Sequence, residues 1–219
     1  MSKTDLQLKQ DIEAELVWDP MVNAAQIGVT VDDGTVSLLG FVDTYPQKWA
    51  AEDAAKRVAG VRSVAKDLEV KLHQDHARSD SEIAAAALDA MKWDVFVPSA
   101  VTASVHKGII TLEGQVNSNH EREAAERAVR NLMGVVSVYD AISLKPDVSP
   151  SDVKEKVGEA LRRQATRDVS SIQIETSGSK VTLTGHASSW QSMEDAANAA
   201  WAAPGVTEVH DRLKLQTTS

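Results

Sequence analysis

Reactive side chains are sparse in this sequence, and one short segment brings several of them together. His73-Gln74-Asp75-His76 offers two imidazoles and a carboxylate, groups that bind transition metals in proteins. The spacing of these groups fits no established ligand pattern, and the surrounding residues have the polar composition of a linker. The sequence has no cysteine, which excludes disulfides, a thiolate nucleophile and a cysteine-ligated zinc site. We therefore expect neither a metal nor a cofactor.

The elements that position all other side chains come from a pattern that occurs three times. Each copy contains a short alternating segment that ends in glycine, at residues 36–40, 110–114 and 181–185. A Gly-Val pair follows each of these glycines at the same distance. The pairs are Gly60-Val61, Gly134-Val135 and Gly205-Val206. A repeat of this length predicts three similar structural units.

The recurring residues also bear on catalysis. They are glycine, valine, leucine, alanine and isoleucine, which form turns and hydrophobic cores. No set of acids, bases or nucleophiles recurs, so the repeat carries no threefold active site. We expect a protein that is not an enzyme.

Hydrophobic periodicity predicts the same order of elements in each copy. Apolar residues four apart predict a first helix, and period-two segments on either side of a short turn predict a β-hairpin. A mostly alanine stripe, Ala51, Ala54, Ala55 and Val58 in the first copy, predicts a second helix, and a further alternating segment predicts a last strand. The prediction is an α+β fold of three tandem α-β-β-α-β domains, each with two helices on one face of a three-stranded mixed sheet. The predicted domains are residues 1–73, 79–146 and 149–217.

The pattern resembles the BON domain, which is named for bacterial osmotic-shock and nodulation proteins. The resemblance rests on an opening D-x-x-[LIV], a turn glycine before V-x-[LV]-x-G, an alanine-rich helix and G-V-x-x-V. In the first copy these are Asp5, Gly34, residues 36–40 and residues 60–64. The third copy departs at its turn, where Gly178 comes one place early. The resemblance implies a binding module, often linked to phospholipid surfaces, without catalytic residues.

Charge and hydropathy limit the partners. The formal net charge is −9 and no basic block is present, which argues against nucleic acid. No apolar run is long enough to span a membrane, and the N-terminus has no signal-peptide pattern. We therefore expect a cytoplasmic protein, at most peripheral to a membrane.

Tryptophan provides the clearest candidate interaction residues. Trp201 aligns with Lys56 and Arg130 of the other copies, and Trp49 lies off the alanine stripe, so both rings are predicted to point away from their own cores. Their expected contact is a neighbouring copy, another chain or a lipid surface. Trp18 and Trp93 end the first helices and are expected at the edge of the core.

The first helix of the third copy is basic and is the second candidate. Its cations are Lys154, Lys156, Arg162, Arg163 and Arg167. Such a cluster attracts anionic phospholipid headgroups. The alternative is a solvated face of mixed charge, since Glu155 and Glu159 interrupt it.

Two functions remain open from the sequence. The first is a non-enzymatic binding or adaptor protein for membrane phospholipid or a protein partner in osmotic or envelope stress, with homo-oligomerisation undecided. The second is a cytoplasmic sensor of a small ion such as potassium, by resemblance to a potassium-binding protein that carries one BON domain. Oxygens at the turn near Asp32 and Asp33 would then supply ligands.

Overall fold

The computed structural model describes residues 3–145, 153–163, 172–187 and 189–215. These residues form six α-helices and nine strands, which occur in the same order in each third of the chain. The first third contains α1 (Asp5–Trp18), β1 (Ile27–Asp32), β2 (Thr35–Val42), α2 (Tyr45–Arg57) and β3 (Ser63–Val70). The second contains α3 (Asp80–Trp93), β4 (Thr102–His106), β5 (Ile109–Val116), α4 (Asn119–Arg130) and β6 (Ser137–Leu144). The last contains α5 (Val153–Arg163), β7 (Ile172–Ser177), β8 (Lys180–Ala187), α6 (Trp190–Trp201) and β9 (Glu208–Leu215).

The three sheets share one topology. In each, the first two strands are antiparallel and the second and third are parallel, with the second helix as the crossover between them. Each sheet has its own buried cluster formed with its two helices. The predicted α+β fold of three tandem α-β-β-α-β domains is therefore confirmed.

The glycine that ends each alternating segment lies where two segments of the backbone cross closely. Gly40 has a φ of 111° and Gly114 a φ of 142°. A Cβ at Gly40 would collide with the carbonyl oxygen of Gln26, and one at Gly114 with that of Ala100. The recurrence of this glycine thus follows from backbone packing.

The hairpin turns explain why the third copy departs from the pattern. In the first turn both residues have positive φ, 43° at Asp33 and 72° at Gly34, as a type I′ turn requires. In the third turn the positive φ belongs to the first residue, Gly178, at 60°. A type II′ turn needs glycine at that place, so Ser179 is tolerated at the second.

An aspartate ties the first helix to the hairpin in two of the domains. Asp5 accepts hydrogen bonds from the backbone N–H groups of Asp33 (3.0 Å) and Gly34 (3.2 Å). Asp80 accepts the equivalent bonds from Lys107 (2.8 Å) and Gly108 (2.9 Å). The bonds from Gly108 and then Lys107 hold the pKa of Asp80 below its usual value.

The second helices also join the domains to one another. Tyr45 of α2 packs against the core of the second domain. Arg122 of α4 lies 4.7 Å from the ring centre of Trp201 in the third domain. Trp190 of α6 packs against the core of the first domain and donates from Nε1 to the carbonyl oxygen of Val61 at 2.6 Å. These head-to-tail contacts run from the first domain to the second, to the third and back to the first, and we call this closed arrangement the ring.

Candidate interaction sites

Trp49 and Trp201 both lie against helix α4 of the second domain. The guanidinium of Arg130 is 4.5 Å from the ring centre of Trp49, and that of Arg122 is 4.7 Å from the ring centre of Trp201. Trp49 keeps 42% of its surface exposed, whereas Trp201 is half-buried and also packs against the core of its own domain. Cation–π pairs of this kind contribute about 0.5–1 kcal/mol at exposed sites. The structure thus gives both rings a contact within the chain, and a further contact with a partner stays a prediction.

Trp18 and Trp93 are not at the core edge, and that prediction is wrong. Their exposed fractions are 82% and 87%. Each follows the last core residue of its helix, Leu16 or Met91, by two positions. Two positions correspond to about 200° around a helix of 3.6 residues per turn, so the ring points away from the core.

Other apolar side chains beside these tryptophans in the sequence are exposed as well. Val17 and Met21 accompany Trp18, while Val95 and Phe96 accompany Trp93. We call these two groups the apolar tips. The first consists of Val17, Trp18 and Met21, and the second of Trp93, Val95 and Phe96. Clustered exposed apolar side chains with tryptophan are typical of binding surfaces. The two-residue offset of each tryptophan from the last core residue of its helix was visible in the sequence, but its meaning was missed.

The surface beside the first apolar tip is acidic but partly neutralised. Arg57 of α2 contacts three carboxylates: Glu15 at 3.1 Å, Asp19 at 2.8 Å and Asp53 at 2.7 Å. The hydrogen bond from Arg57, with a backbone bond from Met21, lowers the pKa of Asp19. This network fixes α2 to the end of α1, from which Trp18 projects.

The basic helix α5 is described in part. Lys154 and Lys156 are exposed. Arg162 and Arg163 belong to the helix, and Arg167 lies outside the described residues. In the repeat, Arg163 stands at the position of Trp18 and Trp93, so the third domain has a cation in its sequence where the others have tryptophan.

The three segments of the chain match one known family. The sequence model of the BON domain matches residues 4–71, 79–146 and 149–217. This chain belongs to the BON-domain family. Osmotically-inducible protein Y of Escherichia coli (strain K12) is 31% identical over 150 residues, which cover 64% of this chain and 73% of that protein.

Two solved structures are similar at a lower level. CdsD, a structural protein of the type III secretion system of Chlamydia trachomatis, is 13% identical with a TM-score of 0.28, over 97% of this chain and 94% of that one. The PrgH periplasmic domain is 12% identical with a TM-score of 0.25, over 87% and 95%. Scores this low do not establish a shared overall arrangement of the domains.

At the hairpin of the first BON domain, an arginine contacts oxygens that were predicted to bind an ion. Arg62 Nη1 pairs with the carboxylate of Asp33 at 2.7 Å and reaches its carbonyl oxygen at 3.4 Å. A cation at this turn would compete with the guanidinium for the same oxygens. Within the described parts of the BON domains, no group of three histidine or acidic side chains is placed to hold a metal.

Membrane contact by a spanning helix finds no support in the described helices. None of them is both long and apolar enough to cross a bilayer.

Proposed function

We propose that this chain is a non-enzymatic binding protein whose BON domains attach to a phospholipid surface through the apolar tips. The observation that carries the proposal is the exposure of Trp18 and Trp93 at the same position of two domains, 82% and 87%. An indole ring combines a large apolar area with an N–H group, which suits the boundary between headgroups and acyl chains. Val17 and Phe96 add apolar area beside the two rings.

The third domain contributes charge to the proposed contact. Lys154 and Lys156 are exposed on α5, and each cation near an anionic surface adds about 1 kcal/mol of attraction. Salt screens this part of the attraction but does not weaken the burial of indole rings in the same way. Binding is therefore expected to persist at high salt with reduced affinity.

The setting proposed for this activity is the response to osmotic or envelope stress. The support is the similarity to an osmotically inducible protein over most of that protein's length. The contact with a membrane that follows from the proposal is peripheral.

A flotation assay with phospholipid vesicles tests the function. Vesicles of phosphatidylcholine alone, or with one-third phosphatidylglycerol, are mixed with the wild type and with the Trp18→Ala/Trp93→Ala double variant. The wild type is expected to float with both, and more with the anionic vesicles, while the double variant stays with the soluble fraction. Lys154→Gln/Lys156→Gln is expected to remove the preference for anionic vesicles.

The matched control replaces exposed apolar residues outside the tips. Met133 and Tyr139 are 58% and 64% exposed, and the Met133→Ala/Tyr139→Ala variant is expected to float like the wild type. Equal flotation of the wild type and the Trp18→Ala/Trp93→Ala variant would show that the apolar tips do not carry the contact with lipid and would contradict the proposal. Failure of the wild type to float would leave the tips as a candidate surface for a protein partner.

A further inference from the structure

The first residue of each second helix occupies the same place in the ring, yet its size differs. These residues are Tyr45 in α2, Asn119 in α4 and Trp190 in α6. Each lies at the contact with the next domain, near the Gly-Val pair of that domain or the strand that follows it. The three interfaces can therefore be compared position by position.

Two of the interfaces are filled by an aromatic ring. Trp190 packs against the core of the first domain and donates to the carbonyl oxygen of Val61, the valine of the Gly-Val pair. Tyr45 packs against the core of the second domain, and its phenol oxygen accepts a hydrogen bond from the backbone N–H of Val138. Burial there raises the pKa of Tyr45, and the nearby Glu126 carboxylate adds to the increase.

In the remaining interface, between the second and third domains, the side chain is too short to reach across. Asn119 donates from Nδ2 to Glu123 Oε1 at 2.7 Å, and its Oδ1 accepts from Arg122. It is thus folded back onto its own helix, with 5% of its surface exposed. An open pocket of about 680 Å³ lies beside it.

The lining of this pocket matches the filled interfaces. Its wall on the third domain includes Gly205 and Val206, the Gly-Val pair equivalent to the one that Trp190 reaches in the first domain. Trp201 and Pro204 add apolar surface on the third domain. The wall on the second domain is polar, with Ser118, His120 and Glu123 among its residues. The guanidinium of Arg122 reaches across the interface and lies 4.7 Å from the ring centre of Trp201. Pockets of about 300–1,000 Å³ with mostly apolar walls and a few polar groups are typical sites for small molecules.

We propose that this pocket binds a free, planar aromatic molecule that carries an N–H or O–H donor. The two equivalent interfaces show which chemistry the position accepts, because they hold an indole and a phenol supplied by the chain itself. A bound molecule of that class completes the third interface, with its ring against Trp201 and its donor toward the backbone at Val206. The pocket adjoins the second apolar tip, because the ring of Phe96 lies edge-on to that of His120 with the ring centres 4.9 Å apart. Trp18 and Trp93, on which the proposed function rests, do not line it.

Indole is the probe, and cyclohexanol is the non-aromatic control of similar bulk. Saturation-transfer NMR and a titration of thermal stability measure binding to the full chain. Indole is expected to bind saturably at one site and to raise Tm, since a ligand that binds the folded state stabilises it by mass action. Cyclohexanol is expected to bind at least about tenfold more weakly, a difference of about 1.4 kcal/mol.

Two substitutions block the pocket in different ways. Asn119→Trp places the missing ring from the chain itself, and Asn198→Trp places a ring from an exposed position on the rim. Each is expected to weaken indole binding by about tenfold or more. Gln191→Trp, at an exposed position of α6 outside the lining, is the matched control and is expected to bind indole like the wild type.

Two results would overturn the proposal. One is the lack of saturable indole binding to the wild type. The other is unchanged indole affinity in the folded blocking variants. If Asn119→Trp does not fold, Asn198→Trp decides the outcome, because its side chain is exposed and the core does not depend on it.

Discussion

At the scale of single residues, tryptophan has three roles in this chain. Trp190 joins two domains through a hydrogen bond, Trp49 and Trp201 stack with arginines of the second domain, and Trp18 and Trp93 remain exposed. The role of each tryptophan follows from where it lies on its helix relative to the buried residues, and from whether another domain covers it.

Trp201→Ala is expected to destabilise the protein by roughly 1–3 kcal/mol. This loss is smaller than the ~3–5 kcal/mol expected for a fully buried aromatic residue, because Trp201 is half-buried. The loss includes the cation–π contact with Arg122. Chemical denaturation gives the free energy of unfolding. Vesicle flotation is expected to be unchanged. Loss of flotation without loss of stability would instead place Trp201 at the lipid surface.

Asp80→Asn is expected to reduce the acid sensitivity of the second domain. The backbone bonds lower the pKa of Asp80 from 3.8 in the folded state, so ionised Asp80 stabilises the fold above that pH. This stabilisation is lost as the pH falls from 3.8 through the lower folded pKa. Stability measured against pH should therefore fall more steeply in the wild type than in Asp80→Asn within that window. Asp89→Asn, at an exposed position of the same helix, is the control. If the stability of Asp80→Asn fell with pH as steeply as that of the wild type, the stabilising role of ionised Asp80 would be contradicted.

At the scale of elements, the alanine stripe brings each second helix close to its sheet. Ala54 of α2 and Ala199 of α6 are buried in the cores of their domains, and Ala128 of α4 is partly buried. Small side chains at these positions leave no room for a larger one. The close approach also fixes where the first residue of the helix meets the next domain.

Ala54→Leu and Ala199→Leu are each expected to cost about 1–3 kcal/mol, because they overpack a tight contact. Ala128→Leu should cost less, since Ala128 is only partly buried. The measurement is the midpoint of chemical denaturation, with Ala85→Leu at an exposed position of α3 as the control. Unchanged midpoints for both Ala54→Leu and Ala199→Leu would show that the stripe does not face the sheet.

The elements were predictable from the sequence because burial imposes a period on each of them. The core positions Leu8, Ile12 and Leu16 are four apart, and the period-two strands have their apolar residues on the buried face. The apolar tips were not predicted, although the two-residue offset of Trp18 and Trp93 from the last core residue of each helix indicates that both rings point outward. A neighbouring copy was among the expected contacts of Trp49 and Trp201, and both rings lie against α4. The closure of the ring was not predicted, since nothing in the sequence pairs Trp190 with the first domain.

At the scale of the whole molecule, the ring accounts for the stability of three small units. Domains of about 60–70 residues bury only about 60% of their unfolded surface and are marginal alone. Tyr45 and Trp190 extend the cores of the second and first domains with side chains from a neighbour. The ring also brings the second and third domains together beside Asn119, where the pocket lies.

Small-angle X-ray scattering of the full chain tests the central claim, closure of the ring, most directly. A compact chain of 219 residues has a radius of gyration of about 17 Å. The closed ring predicts a radius of gyration within a few ångströms of this value and a bell-shaped Kratky plot. Trp190→Ala removes the contact of the third domain with the first and is expected to increase the radius of gyration. A wild-type radius well above the compact value, unchanged in Trp190→Ala, would show three separate domains on linkers and contradict the account.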